Sequence, residues 1–86
     1  MTLEQIRIFV AVAAREHVTQ AARDLNLTQS ATSASVAALE AQYQTKLFDR
    51  IGRGIVLTAA GKAFLIEAKS ILSRVAAAEA VLDDLA

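Results

Sequence analysis

The sequence predicts a mainly α-helical domain with one short β hairpin, and three observations predict it. Ala-rich apolar residues recur at helical spacing through most of the 86 residues, with no Pro and only three Gly to interrupt them. Threonines able to cap a helix stand before the helical stretches, at Thr2, Thr19, Thr28 and Thr58. Between Phe48 and Leu57 the pattern changes, and β-branched and aromatic residues flank Gly52-Arg53-Gly54.

The elements follow in order. Leu3, Ile6, Val10 and Ala13 recur at three- and four-residue steps, with Phe9 and Val12 beside them, which predicts an amphipathic helix ending near Arg15-Glu16-His17. Thr2 caps this helix, and Glu4 suits its positive end. Thr19 is the candidate cap of a short second helix that runs to about Leu25. Asn26 follows it, and Asn tolerates the left-handed conformation that stops a helix and turns the chain. Thr28 caps a third helix from about Gln29 to Tyr43. After the hairpin, Thr58 opens a helix that meets no breaker beyond Gly61 and should run to about Leu85.

Residues 18–37 satisfy the geometric demands of a helix-turn-helix. Ala22 gives the small residue needed where two helices cross, Asn26 accepts positive φ in the turn, and Ala21, Leu25 and Leu27 bracket it with apolar groups. If Thr32, Val36, Leu39 and Tyr43 face the core, Gln29, Ser30, Ser33, Ala34 and Ala37 face outward. This outward surface is uncharged. Gln can pair with adenine, Ser can bond to base edges or phosphate, and Ala can approach thymine methyls.

Composition narrows the remaining classes. The length allows one domain. With no Cys and a single His, neither a disulfide nor a metal site is expected. No apolar run is long enough for a membrane span, and the early Glu4 and helical spacing argue against a signal peptide, so a soluble cytoplasmic protein is expected. No nucleophile–base set or acidic pair supports catalysis, and the Gly52–Gly54 turn is too short to cradle a nucleotide. Net charge is zero, but Lys46, Arg50, Arg53 and Lys62 face only Asp49 within residues 41–62, a local basic excess. His17 is expected to be a solvated turn residue and Arg23 and Asp24 ordinary surface charges, while Arg15 either steers DNA or satisfies the dipole at the end of its helix.

The last helix carries a second signal. Phe64, Ala68, Ile71, Val75, Ala78, Leu82 and Leu85 alternate steps of four and three, a heptad seam suited to a second chain. Leu65 and Leu72 form another stripe that could pack on the helix's own domain. Two readings are therefore open: a DNA-binding homodimer, or a helical protein–protein module indifferent to DNA.

The run LTQSATSASVAALEAQYQTKLFDRIGRGIVLTAAG, residues 27–61, resembles the central signature of the LysR-type transcriptional regulators. LEQIRIFVAVAARE and VTQAARDLNL resemble that family's first two helices. The resemblance implies a winged helix-turn-helix in residues 1–58, with three helices and a two-stranded wing at 48–57. A linker and dimerisation helix would follow at 59–86. It implies binding to double-stranded DNA at a promoter inverted repeat. Gln29, Ser30 and Ser33 would lie in the major groove with Ala34 and Ala37, Thr28, Arg50 and Thr58 would hold phosphates, and Arg53 would stand at the wing tip. It further implies a homodimer through the last helix, with tetramers open for a complete protein. No cofactor is expected in this chain and no membrane partner. A small-molecule effector would act only through a further domain not found in these residues. The chain departs from the family pattern at Ser30, where many relatives have Pro, and at Ala34 and Ala37, where longer polar residues are frequent. It also departs at Thr32, where an aliphatic residue is usual, and at Gln44, where Gly is usual.

Overall fold

The computed structural model describes all 86 residues. Its elements are α1 (Leu3–Arg15), α2 (Val18–Leu25), α3 (Gln29–Tyr43), β1 (Phe48–Ile51), β2 (Gly54–Leu57) and α4 (Ala59–Leu85). The first three helices, the hairpin and the first half of α4 enclose one core, and the rest of α4 extends from it to give a molecule of 49 × 25 × 20 Å.

Thr2 and Gln5 exchange side-chain and backbone hydrogen bonds at the start of α1, a complete capping box. α1 buries Ile6, Ile8, Phe9, Val12 and Ala13. The second helix starts earlier than its Thr suggests. Glu16 adopts the left-handed conformation (φ 49°), so one extended residue, His17, suffices to join the helices. His17 rather than Thr19 is the N-cap, and its Nδ1 accepts the Gln20 N–H at 3.2 Å. Asp24 is likewise more than an isolated surface charge, because Nε and Nη2 of Arg15 donate to its two carboxylate oxygens at 2.8 and 3.2 Å. Both side chains are about half exposed, so the pair adds well under ~1 kcal/mol.

Asn26 makes the left-handed turn (φ 56°) and Leu27 N–H returns to the Ala22 carbonyl, which closes the helix-turn-helix corner. Ala21 and Ala22 are buried where the helices cross. On α3, Thr32 and Leu39 are buried. The Thr32 hydroxyl donates back to the Thr28 carbonyl at 2.9 Å, as a polar residue in the core requires. Tyr43 departs from the expected inward stripe: its surface is 51% exposed. The core has already closed around Leu39 and Leu47, and the chain leaves α3 through a left-handed Gln44 (φ 50°).

The hairpin pairs Phe48 with Leu57 and Ile51 with Gly54 in antiparallel register. Its two-residue loop begins at Gly52, whose positive φ of 59° is what a tight hairpin needs there. Two side-chain clasps attach it to the helices. Glu40 accepts the N–H groups of Leu47 at 2.7 Å and Phe48 at 3.3 Å. The Thr58 hydroxyl donates to the Lys46 carbonyl at 2.7 Å while accepting the Gly61 N–H at 2.9 Å. Phe9 then stacks between Phe48 and Phe64, with ring centroids at 5.4 and 4.8 Å, and joins α1, the hairpin and α4.

Two substitutions test this account by denaturant unfolding. A Cβ on Gly61 would fall inside van der Waals contact with the Leu47 backbone carbonyl and 2.9 Å from a Leu57 methyl. Gly61→Ala is therefore expected to destabilise the domain by more than ~1 kcal/mol, against the usual gain for Gly→Ala in a helix. Gln44→Gly should stabilise it by about 1 kcal/mol, because Gly removes the left-handed penalty. An unchanged midpoint for either variant contradicts the corresponding assignment.

Candidate nucleic-acid interface

α3 lies on the surface with its N-terminal turn free, and the hairpin stands beside it. Helical spacing and burial divide α3 into three strips. Thr32 and Leu39 are buried, with Val36 half-buried beside them. Ser30, Ala34, Ala37, Ala38 and Ala41 are all exposed and form the outermost ridge. Gln29, Ser33 and Glu40 occupy the flank that faces the hairpin.

That flank is a trough made of two adjoining depressions. The first, about 110 Å³, is lined by Gln29, Ser33, Arg50 and Arg53 together with His17 and Thr19 from the start of α2. The second, about 380 Å³, continues past Ser33, Ala37 and Arg50 to Glu40, Lys46 and Asp49. Three separate parts of the sequence thus meet along one strip: the head of α2, the flank of α3 and the basic arm of the hairpin. Arg50 and Arg53 are exposed and Ser33 is half-buried, so the two guanidinium groups are free to move. Neither arginine has a carboxylate partner, since the one ion pair in the molecule is Arg15–Asp24.

The expected site residues fall into groups. Gln29, Ser33, Arg50 and Arg53 converge in the first depression, and Ala37 borders the second. Ser30 is exposed on the ridge. Ala34 is also exposed but leans away from the hairpin, into a shallow groove with Leu27, Ala31 and the N-terminal residues Thr2 and Gln5. Thr28 is exposed. Its oxygen accepts the Ala31 N–H as the N-cap, and its own hydroxyl proton remains available. Thr58 differs from expectation: its hydroxyl proton is already given to Lys46, so it braces the hairpin and has no O–H to offer a phosphate. The sequence does not single out Glu40 and marks Lys46 only as part of a local basic excess; both join the trough because the hairpin folds back onto α3. Ala38 and Ala41 were legible in principle, as they continue the Ser30–Ala34–Ala37 spacing.

The dimerisation seam divides as well. Ala68 is fully buried in the domain's own core, and Phe64 packs on Phe9, so neither is a free seam residue. The first half of α4 needs these side chains to close the core over Phe9. Ile71 is 36% exposed, Val75 half-buried, and Ala78, Leu82 and Leu85 exposed. Leu65 and Leu72 pack against the core, as the second stripe suggests.

No group of His, Cys, Asp or Glu residues is arranged to hold a metal ion, and no helix is long and apolar enough to cross a membrane. The profile of the bacterial regulatory helix-turn-helix proteins of the lysR family matches residues 3–62. An uncharacterised HTH-type transcriptional regulator from the ibpB-leuC intergenic region of Azotobacter vinelandii is 48% identical over 73 residues, 85% of this chain and 51% of that protein. The transcriptional dual regulator GltC of Bacillus subtilis is 44% identical over 84 residues, 98% of this chain and 28% of that protein. The chain thus spans about half the length of the first relative and about a quarter of the second. Among solved structures, the CbnR DNA-binding domain in complex with DNA superposes with a TM-score of 0.90 at 35% identity, covering 99% of this chain and 98% of that one. The BenM DNA-binding domain on its catB site 1 DNA gives a TM-score of 0.94 at 29% identity, covering 99% and 94%. The architecture is a winged helix-turn-helix followed by a long helix.

Proposed function

The chain belongs to the lysR family of bacterial regulatory helix-turn-helix proteins, and from that premise we propose that it is a sequence-specific binder of double-stranded DNA acting in transcription regulation as a homodimer. One observation carries the proposal: the α3 flank bearing Gln29 and Ser33 shares a trough with the unpaired wing arginines Arg50 and Arg53. An α3 seated in the major groove presents Gln29 and Ser33 to base edges, with Ser30, Ala34 and Ala37 close to the groove floor. Thr28 and the free N–H groups of its helix turn hold a backbone phosphate. Arg50 supports the phosphate beside the wing. Arg53, at the wing tip, suits a neighbouring minor groove narrowed by A·T pairs, where the potential is most negative.

The homodimer places two such surfaces on one duplex. α4 has 27 residues and is about 40 Å long. That length suits two reading helices held near the ~34 Å repeat of the major groove, and hence a two-fold symmetric site. The contact uses the exposed second half of α4, Ile71 to Leu85. In this reading the chain acts without a cofactor or a catalytic group, and binding to bacterial DNA fits a cytoplasmic protein. Small-molecule sensing belongs to a separate effector domain.

Fluorescence anisotropy with labelled duplexes at low salt tests this reading. The chain should bind duplex DNA, and binding no tighter than that of an unrelated acidic protein would overturn the proposal. Arg53→Ala should weaken binding across sequences and lower the slope of log affinity against log salt by about one. Ser33→Arg should not weaken binding to bulk DNA but should change the sequences recovered from a random pool. Identical pools from both proteins would remove Ser33 from the reading surface.

A further inference from the structure

The groove-facing surface of α3 offers no side chain that only donates or only accepts hydrogen bonds. The Gln29 amide does both, and so do the hydroxyls of Ser30 and Ser33. Beyond them the exposed ridge continues as Ala34, Ala37, Ala38 and Ala41, which end in methyl groups. The Thr32 hydroxyl is buried and already given to the Thr28 carbonyl. Glu40, the one charged residue of α3, is half-buried, and its Oε2 accepts the N–H groups of Leu47 and Phe48.

In the major groove thymine presents an O4 acceptor and a 5-methyl group, whereas cytosine presents an N4 donor and no methyl group. Telling O4 from N4 takes a group of fixed hydrogen-bonding sense, such as an ammonium or a carboxylate. A hydroxyl satisfies either, and an alanine satisfies neither. What remains for the alanine ridge to recognise is the methyl group itself. We propose that α3 reads pyrimidines by their 5-methyl group, so that 5-methylcytosine replaces thymine without loss at the base pairs beneath Ala34 and Ala37. The inference rests on the DNA-binding reading and names the DNA chemistry selected, methylated DNA included. The trough with its unpaired arginines is what marks this face for DNA, and the alanines decide which DNA it prefers.

Geometry confines the effect to a short stretch. Ala34 and Ala37 are ~4.5 Å apart along the helix, little more than one base-pair step of ~3.4 Å. From Ser30 to Ala41 no exposed side chain of α3 is longer than serine, so the ridge can reach van der Waals contact with a methyl group on the groove floor. The pair held by Gln29 lies outside this rule. Its amide matches N6 and N7 of adenine, and the guanine opposite a 5-methylcytosine has O6 in place of N6. Arg50 and Arg53 have the fixed donor sense that α3 lacks, but in the proposed complex they are engaged by phosphate and by the minor groove.

The test keeps the protein unchanged and alters the duplex. In a site recovered from the random pool, each thymine in turn is replaced in both half-sites by uracil, cytosine or 5-methylcytosine, with the matching purine opposite, and affinity is read by anisotropy. Uracil removes the methyl group and leaves the hydrogen-bonding pattern intact. Beneath Ala34 and Ala37, uracil and cytosine should each bind about fourfold more weakly per half-site, the worth of one buried methyl group, and 5-methylcytosine should restore the loss. Ala34→Gly or Ala37→Gly should bring the thymine-to-uracil ratio toward one. That ratio is taken within a single variant, so a less stable helix does not move it. Uracil equal to thymine at every position, 5-methylcytosine as weak as cytosine, or a ratio unchanged in both glycine variants would overturn the inference and leave DNA binding standing. Binding of every duplex no tighter than by an unrelated acidic protein would overturn both.

Discussion

The approach of α4 to Leu47, the residue that leads into β1, is the constraint on which the other contacts depend. The first turn of α4 lies so close to the Leu47 carbonyl that only a residue without a Cβ fits at Gly61. Thr58 holds this approach from both sides, bonding to the Lys46 carbonyl and to the Gly61 N–H, while its own N–H reaches the Leu47 carbonyl. The root of the hairpin and the start of α4 are therefore one unit. From it Phe48 and Phe64 project to either side of Phe9, and the three rings connect the wing and the long helix to α1. The angle of the wing against α3, and the direction in which α4 leaves the domain, both follow from that unit.

The interface inherits its shape from this arrangement. With the wing fixed against α3 by Glu40, the charged and hydrogen-bonding side chains gather on the wing-facing flank, and the outward ridge of α3 carries only Ser30 and alanines. A bare ridge allows close approach to a groove but supplies no long charged contact. In the proposed DNA complex, discrimination between sequences would fall to Gln29 and Ser33, to methyl contacts and to the shape of the duplex under the wing. The positive charge sits where phosphates would lie, at Arg50 and Arg53, which agrees with a chain of zero net charge that still presents a locally basic edge.

α4 changes its role along its length. Its first half completes the domain core through Phe64, Leu65, Ala68 and Leu72, and its second half leaves the domain with an apolar stripe uncovered. The heptad spacing runs without a break across both halves, because a helix packing on its own domain and a helix packing on another chain need the same periodicity.

The sequence alone determined every helix and the hairpin, because those signals are local. Caps at Thr2, Thr28 and Thr58, the turn at Asn26 and the uninterrupted spacing of α4 need no distant partner to act. It also determined most of the α3 surface, since one helical period separates Thr32 and Leu39 from Ser30 and Ala37. The misplacements have a common cause. Thr19 gave way to His17 as a cap because Glu16 took a left-handed conformation, and Tyr43 lay outside because the core closed before it. Thr58 was committed to a carbonyl, and Ala68 was buried by helix α1 rather than by a second chain. Only the tertiary structure decided these points. Which of several suitable residues meets a given partner depends on how elements distant in sequence approach one another, and that approach was set by the fit of Gly61 against Leu47.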